Sequence, residues 1–599
     1  MASIAAHLSR AGTAQPERVH QMLEASPHRG SQLEVAVLGS CSVGVSREEH
    51  VGDASIADEP DLAVAVAGTV DDLDVLTRRL KDLGHPPASA GAASVVAAAF
   101  RAWGDGAPDR LRGAFAVVAT DGLRLWGFRD QLGYRGAFYR VDDLQAAVAS
   151  EAKQVVAGVA IAPEPDLEVL QAVFFLDYDD DTPAALRGVR RLPKATLLEV
   201  GSGHARSRRT WQPERLLETG RFGVGEVAER FDELFSRAVD RAFLGPDAVA
   251  LSGGIDSPAI AAYGAARHEE RFGKPLGALT AVFPDQPAVD ERPYVELITS
   301  RLGMPLHTYD RHSSTLDKIQ EWARLFDGLV PVFLAPDAEV EYRVASGLGY
   351  RNVIGGYAAE LVVDMRHSLV AHLLASGRWR AAAGLMRQQL AKGVPVAGVG
   401  RQVGAAFLPR SAYAAYLRAR PPRRGTRVPP WLDRRRVNDR AIRTSVAPRH
   451  RWTESQLGGF AGPGLSVEAN EVVQEVCGVR SRRPWADVDV WEFFLSLPAD
   501  QKFPDVQTKG LVRRLLRGRV PDEILDRRDK TVFNDSLTAR MDYGVLRRWL
   551  PGSGFRMPGV DYDLLELRLA AQDMGVFEYL WAKDLASVHA FVYLWEANA

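Results

Sequence analysis

The sequence predicts two domains, an α+β sandwich at the N terminus and an α/β doubly wound parallel sheet with helical additions after it. Three observations carry this. At 599 residues the chain exceeds what one hydrophobic core organises. The first two hundred or so residues alternate short apolar runs with turn signals, the pattern of mostly antiparallel strands. From Glu226 onward helix and strand patterns alternate instead, as in βαβ units.

In the first domain, 1–210, Leu33 to Leu38, Leu62 to Ala67, Phe115 to Thr120, Leu123 to Phe128 and Leu144 to Val148 read as strands. Leu73 to Leu83 and Ala92 to Trp103 read as helices that flank them. Arg206 to Glu218 is polar and Arg-rich and reads as a linker. In the second domain, 211–599, parallel strands are expected at Ala248 to Leu251, Leu279 to Phe283, Leu306 to Tyr309 and Arg351 to Ile354. Beyond Ala371 the pattern is mostly helical, with a helical insert at about 367–465. Inside that insert, Arg418 to Arg436 is rich in proline and arginine. It reads either as a solvated loop or as a rim that binds anions or a peptide.

Bulk properties narrow the class. Hydrophobic content of 46% and charged content of 25% are those of a globular protein in water. A formal charge of −2 supplies no general attraction to nucleic acid or acidic membranes, so neither is an expected partner. The two cysteines, Cys41 and Cys477, exclude a disulfide framework and a Cys-rich zinc site. The first residues carry no secretory pattern, and no run approaches the ~20 apolar residues of a membrane span. The expected location is the cytoplasm.

Ala248 to Ser257 is the most informative run. A buried strand runs into Ser252-Gly253-Gly254-Ile255-Asp256-Ser257, and a helical pattern opens at Pro258. Strand, Gly-rich turn and helix build an anion cradle: glycines let backbone N–H groups approach a phosphate, and the helix N terminus adds partial positive charge. Asp256 puts a carboxylate beside it, suited to Mg²⁺. No lysine follows the glycines, which excludes the Lys-Ser/Thr phosphate loop.

This loop resembles the pyrophosphate loop of ATP pyrophosphatases, in an adenine nucleotide α-hydrolase-like fold. Together with Asp290-Glu291 before Tyr294, and Thr508-Lys509 before Leu511, Arg513 and Arg514, it resembles the synthetase domain of asparagine synthetases. Arg482-Arg483-Pro484-Trp485-Ala486-Asp487 stands where that family has Arg-x-Pro-Phe-Leu-Asp. Leu497-Pro498 with Lys502, and Arg528-Asp529-Lys530 with Phe533, are similar to later family segments. The N-terminal part resembles the family's class II glutamine amidotransferase domain through His28-Arg29-Gly30, Leu111 to Phe115, Arg129-Asp130-Gln131-Leu132-Gly133 and Ser150-Glu151-Ala152-Lys153.

The departures from the family define the expectation. Such glutaminases attack glutamine with a cysteine at the mature N terminus, whereas Ala2 follows Met1 here and offers no nucleophile. Ala67-Gly68-Thr69 replaces Asn-Gly-Glu, and Gly39-Ser40-Cys41-Ser42 lacks the arginine that binds glutamine's carboxylate. Cys41 reads as a buried core thiol. A degenerate glutaminase half fused to an adenylylating half resembles the lasso peptide cyclases and the β-lactam synthetases. The chain length and the insert, with Pro429-Pro430-Trp431-Leu432, resemble the former more.

That resemblance implies ATP and Mg²⁺, with nucleotide contacts from Leu251, Ser252, Gly253, Gly254, Asp256, Ser257, Val282, Gly355 and Gly356. A substrate carboxylate would be adenylylated, and an amine would then displace AMP. Asp256 and Glu360 are the implied metal ligands. Aligning Val353 and Ile354 with the family's strand end puts Gly355 on its serine and Glu360 on its aspartate; the rival register puts Ala359 there. Lys530 is the implied cation for the α-phosphate or the second oxyanion. Tyr357 stands where β-lactam synthetases carry a tyrosine implicated in deprotonating the amine; its alternative role is an aromatic wall. Lys509, Arg513, Asp285, Asp290 and Glu291 are weaker candidates. The implied partners are a precursor core peptide, a leader peptidase and a leader-recognition protein. The alternative functions are a small-molecule amide former, such as a β-lactam synthetase or ammonia-dependent asparagine synthetase, and a non-catalytic nucleotide-binding relic.

Overall fold

The computed structural model describes residues 2–48, 53–201, 203–223, 225–311, 316–331, 333, 335–359, 369–391, 393, 395–407, 409, 411–412, 428–437, 452, 456–457, 464–502, 509–527, 540–550 and 554–596. The N-terminal strands are β1 (Ala2–Ser9), β2 (Gln32–Leu38), β3 (Cys41–Arg47), β4 (Ala54–Glu59), β5 (Leu62–Val70), β6 (Gly113–Thr120), β7 (Leu125–Arg129), β8 (Phe138–Val141), β9 (Gln145–Ala149), β10 (Arg190–Arg191), β11 (Thr196–Val200) and β12 (Ala205–Arg209). They form two antiparallel sheets, β10-β8-β9-β1-β3-β2 and β12-β11-β7-β6-β5-β4.

Side-chain alternation separates the layers. Ala63, Ala65 and Ala67 of β5 meet Ile4, Ala6 and Val43 between the sheets. Val64 and Val66 face the helix Ala92–Trp103 on the outside. On the other outer face Ala5 meets Val19, Met22 and Leu23 of the helix Pro16–Glu24. The expected sandwich is therefore present, with strands the sequence pattern misses. All eight residues of β1 are buried, so it shows no polar alternation to read. The proposed linker needs correction: Arg206 to Arg209 belong to β12, a fully exposed strand at the end of its sheet, where arginines protect the edge from further pairing.

The second domain holds β13 (Asp247–Ala250), β14 (Gly277–Val282), β15 (Leu306–Asp310), β16 (Asn352–Ile354) and β17 (Arg480–Arg482). They pair parallel in the order β15-β14-β13-β16-β17. The chain moves outward from β13 to β15 and then returns to the far side of β13, so the topological switch lies between β13 and β16. Helices cover both faces, as a parallel sheet requires. Val249 and Ile354 pack with Phe235 and Ile260 on one side, while Ala248 and Val353 pack with Tyr342 and Val473 on the other. The four strands anticipated here are present; β17 escapes the pattern because Arg-Ser-Arg has no apolar run.

Within the insert the described helices include Leu369–Ala375, Trp379–Ala391 and Val396–Phe407. Residues 418–427 of the arginine-rich patch lie outside the described residues; Arg434, Arg435 and Arg436 are exposed. Trp431, within the stretch read either as a solvated loop or as a binding rim, is fully buried, and its Nε1 donates to Glu578 Oε1 at 3.1 Å. Its apolar ring belongs to the core of the C-terminal helices. Among the described residues no helix is long and apolar enough to cross a membrane.

Candidate functional site

The Gly-rich turn leaves β13 at the switch point and enters the helix Asp256–Phe272. Leu251 extends the strand, its N–H donating to Leu279 O at 2.8 Å. The turn is closed by hydroxyls: Ser252 N–H donates to Ser257 Oγ at 2.9 Å, and the two Oγ atoms lie 3.1 Å apart. Trp485 Nε1 donates to Asp256 O at 2.9 Å, and its ring packs 4.3 Å from that of Phe235. The tryptophan thus locks the first helical turn to the core.

Charged groups gather round this turn from distant parts of the chain. Lys509 Nζ contacts both carboxylate oxygens of Asp256, at 2.6 and 2.5 Å. Glu291 accepts from Gly253 N–H at 3.1 Å. Arg527 Nη1 donates to Gly253 O and to Glu291 Oε1, each at 2.9 Å. Arg513 reaches the carbonyls of Leu525 and Arg527 and so holds the segment that carries Arg527. Gly253 has no room for a side chain: a Cβ would lie 2.7 Å from Arg527 Nη1 and 3.1 Å from Tyr294 Cβ.

The loop after β16 closes the other side. Gly355 N–H donates to Arg482 O at 3.0 Å. A Cβ at Gly356 would come 3.0 Å from both Asp256 Cβ and Ser257 N, so only glycine fits without a shift. By contrast, a Cβ at Gly254 would meet only Ser252 Oγ at 3.5 Å, and one at Gly355 nothing within 4 Å. The two switch-point loops therefore touch through one glycine and expose two others.

Family comparison adds the context for this geometry. The asparagine synthase model matches residues 230–567, and the glutamine amidotransferase domain model matches residues 1–211. The chain belongs to the asparagine synthase family. Glutamine-hydrolyzing asparagine synthetase 3 of Bacillus subtilis (strain 168) is 24% identical over 486 residues, covering 76% of this chain and 72% of that protein. A putative glutamine-hydrolyzing asparagine synthetase of Mycobacterium tuberculosis (strain ATCC 25618 / H37Rv) is 31% identical over 203 residues, 31% of this chain and 30% of that protein. Among solved structures, a glutamine phosphoribosylpyrophosphate amidotransferase from B. subtilis aligns at 12% identity and a TM-score of 0.26, over 51% of this chain and 65% of its own.

Asparagine synthase family members are ATP-dependent amide ligases, and the residues present suit ATP with Mg²⁺. The open backbone at Gly254 and Gly355 lets phosphate oxygens approach. Asp256 is a hard oxygen donor of the kind Mg²⁺ takes together with phosphates and water. Among the described residues no three His, Cys, Asp or Glu side chains gather into a fuller metal cage.

Of the anticipated residues, Ser252, Gly253, Gly254, Asp256, Ser257, Gly355 and Gly356 converge on the switch point. Val282 ends β14 and pairs with Asp310. Glu360 and Lys530, with Thr508, Arg528, Asp529 and Phe533, lie outside the described residues. Ala359, the ligand position in the rival register, is fully buried in the apolar core. Tyr357 is 51% exposed, with the guanidinium carbon of Arg483 4.9 Å from its ring centre. The Asp290 carboxylate accepts locally from the backbone N–H and the guanidinium of Arg292. Lys502 is buried against Gln456 and the Phe494 ring, and burial pushes its ammonium down to about 7. Sequence reasoning underrated Lys509 and missed Arg527, because a basic residue on a helix or in a loop carries no mark of the carboxylate it meets across the fold.

The N-terminal position is equally informative. Ala2 is fully buried, and its N–H donates to Glu475 Oε2 at 3.0 Å. Glu468, Glu471 and Glu475 share one face of the helix Leu465–Cys477, spaced by three and four residues. They meet arginines of the first domain: Arg129 with Glu468 at 2.8 Å, Arg29 with Glu471 at 2.8 Å, and Arg135 with Glu471 and Glu475 at 2.7 and 2.5 Å. Burial would raise Glu471, but Arg29 and Arg135 outweigh it and hold the carboxyl below its ordinary value. Cys41 is a fully buried thiol whose pKa burial raises, as a core residue's would be.

Proposed function

We propose that this chain activates a side-chain carboxylate of a leaderless precursor peptide with ATP and joins it to the peptide's N-terminal amine, closing a macrolactam ring. The observation that carries this reading is Ala2. The place where a glutaminase presents its nucleophile holds a buried methyl group on a residue whose backbone N–H donates to Glu475, while the Gly-rich turn and its charged surround are present. An adenylylating site without its own source of ammonia needs an amine that arrives with the substrate. The combination resembles the lasso peptide cyclases, which names that amine.

In this reading Ser252, Gly253, Gly254 and Ser257 shape the phosphate cradle, with Leu251, Val282, Gly355 and Gly356 around the nucleotide. Asp256 and Glu360 would hold Mg²⁺, which when bound offsets charge growing on the phosphates. Lys530 would meet the α-phosphate, and Tyr357 would take the amine's proton or wall the pocket. A leader peptidase and a leader-recognition protein would deliver the peptide in the cytoplasm.

The test is to incubate the protein with ATP, Mg²⁺ and a synthetic core peptide that carries a free N terminus and an internal Asp or Glu. Loss of one water from the peptide, matched by AMP, supports the reading. Similarity to the asparagine synthetases favours a second one, amide formation on a small molecule. AMP made with aspartate and ammonia, with the peptide unchanged, would establish that alternative. No AMP with any acceptor would leave a nucleotide-binding relic.

A further inference from the structure

Arg483 lies between two tyrosines of different domains. Its guanidinium carbon is 5.1 Å from the ring centre of Tyr134 and 4.9 Å from that of Tyr357. Tyr134 belongs to the glutaminase-like domain, on a turn fixed by Asp130, whose carboxylate accepts from the N–H groups of Leu132 and Tyr134 at 3.0 Å and of Arg135 at 3.2 Å. Tyr357 belongs to the loop after β16, one residue beyond the glycine that packs on Asp256.

The backbone of Arg483 is anchored on both sides. Arg482 pairs with Ile354 and accepts from Gly355 N–H, and Pro484 and the buried Trp485 follow. Its side chain reaches from one domain to the other. Among the described residues Arg483 Nη1 is buried without a hydrogen-bond partner, while a side-chain hydrogen bond joins the guanidinium group to Tyr134. The adjoining cavity, about 30 Å³ and lined in part by Asp71, Tyr134 and Arg482, has space for about one water. Aromatic faces are therefore a principal hold on this cation, and an arginine plane suits that role better than an ammonium.

We propose that Arg483 is a positioning residue through which the glutaminase-like domain fixes the Tyr357 loop of the synthetase site. A domain with no nucleophile at position 2 thereby still serves the synthetase site. Tyr134 holds the guanidinium, and the guanidinium holds Tyr357 beside the Gly-rich turn. The chain of contacts involves no assumption about which carboxylate or amine is joined, so it stands or falls separately from the ring-closing reading.

The experiment places 3-fluorotyrosine at position 357 of the full chain and records its ¹⁹F resonance in wild type and in Arg483→Met, Tyr134→Ala and Tyr134→Phe backgrounds. Arg483→Met and Tyr134→Ala should move the resonance toward that of a solvent-exposed fluorotyrosine. Tyr134→Phe, which keeps the ring face and loses only the hydroxyl's bond to Arg483, should move it less than Tyr134→Ala does. Combining Arg483→Met with Tyr134→Ala should add nothing to Arg483→Met alone. An unmoved resonance in Tyr134→Ala would overturn the proposal, as would Tyr134→Phe behaving like Tyr134→Ala. Arg483→Lys guards against simple misfolding: it retains a cation and should shift the signal less than Arg483→Met, and an equal shift also counts against the proposal.

Discussion

Lys509 Nζ lies 2.5 Å from Asp256 Oδ2 and 2.6 Å from Oδ1, joining two residues 253 positions apart. The carboxylate proposed to hold a metal is thus paired with a lysine that is itself only 8% exposed. This pairing brings the helix Gly510–Leu516 to the Gly-rich turn.

Replacing Asp256 with Asn preserves the shape of the side chain and removes its charge. We expect AMP formation to fall at least about a hundredfold, the scale of losing one key electrostatic group. A thermal melt should show the protein still folded. Lys509→Met should also reduce the rate, because the carboxylate loses its orientation. AMP release at the wild-type rate from Asp256→Asn would remove Asp256 from the site.

The glycines should separate into two classes. Gly356→Ala pushes a Cβ against backbone and Cβ atoms at 3.0 Å, and Gly253→Ala drives one against Arg527 and Tyr294. Both should lower the melting temperature, Gly356→Ala more, because a side-chain tip can yield where backbone cannot. Gly254→Ala meets only Ser252 Oγ at 3.5 Å and should melt like wild type. If phosphate approaches there, calorimetry should show weaker Mg²⁺–ATP binding in this variant; unchanged affinity would place the phosphates elsewhere.

Ala2→Cys should not create a glutaminase. The side chain at position 2 is fully enclosed and its backbone N–H is committed to Glu475. The Ala67-Gly68-Thr69 stretch of β5 also lacks the acidic and amide groups of the family pattern. Glutamate release measured with glutamine should stay at background, and sustained turnover would refute the view of this pocket as a closed domain joint.

The arginine–glutamate joint should make stability sensitive to acid. Glu471 is held below its ordinary 4.5 by Arg29 and Arg135, against the opposing effect of burial. Glu151 is held well below 4.5 by His28, Lys153 and Arg29, again against burial. Carboxyls lowered on folding stabilise fully above the unfolded value, and that contribution is lost as pH falls through the lower folded values. Wild type should therefore lose stability from about pH 4.5 downward. Glu471→Ala should cost about 3–5 kcal/mol at pH 7, since two buried guanidinium groups lose a partner. Its acid slope should be shallower, and denaturant titrations at pH 7 and below about pH 4.5 read both quantities.

What the sequence disclosed follows from the range of its physical signals. Strand β13, the Gly-rich turn and the helix behind it are local, and Ser252 to Ser257 could be read residue by residue. Strand β2 is half-buried and shows its alternation, and the buried strands β5, β6 and β7 are legible instead as apolar runs between turn signals. In β1 and β3, also buried on both faces, buried serines and His7 break up that run. The site's cations were harder. Lys509 and Arg527 reach the turn from beyond residue 500, and no local pattern marks that closure. Glu468, Glu471 and Glu475 did leave a signal, three acids on one face of a helix that is otherwise mostly apolar. A buried face of that kind predicts a basic partner surface, though not which domain supplies it.

The most direct test of the central claim follows oxygen. A core peptide whose Asp or Glu side-chain carboxylate carries ¹⁸O is turned over with ATP and Mg²⁺, and the AMP is analysed by mass spectrometry. Activation of that carboxylate as an adenylate predicts one ¹⁸O transferred to AMP for each ring closed. Ring-closed peptide accompanied by unlabelled AMP, or label passing to AMP only from free aspartate, would contradict it.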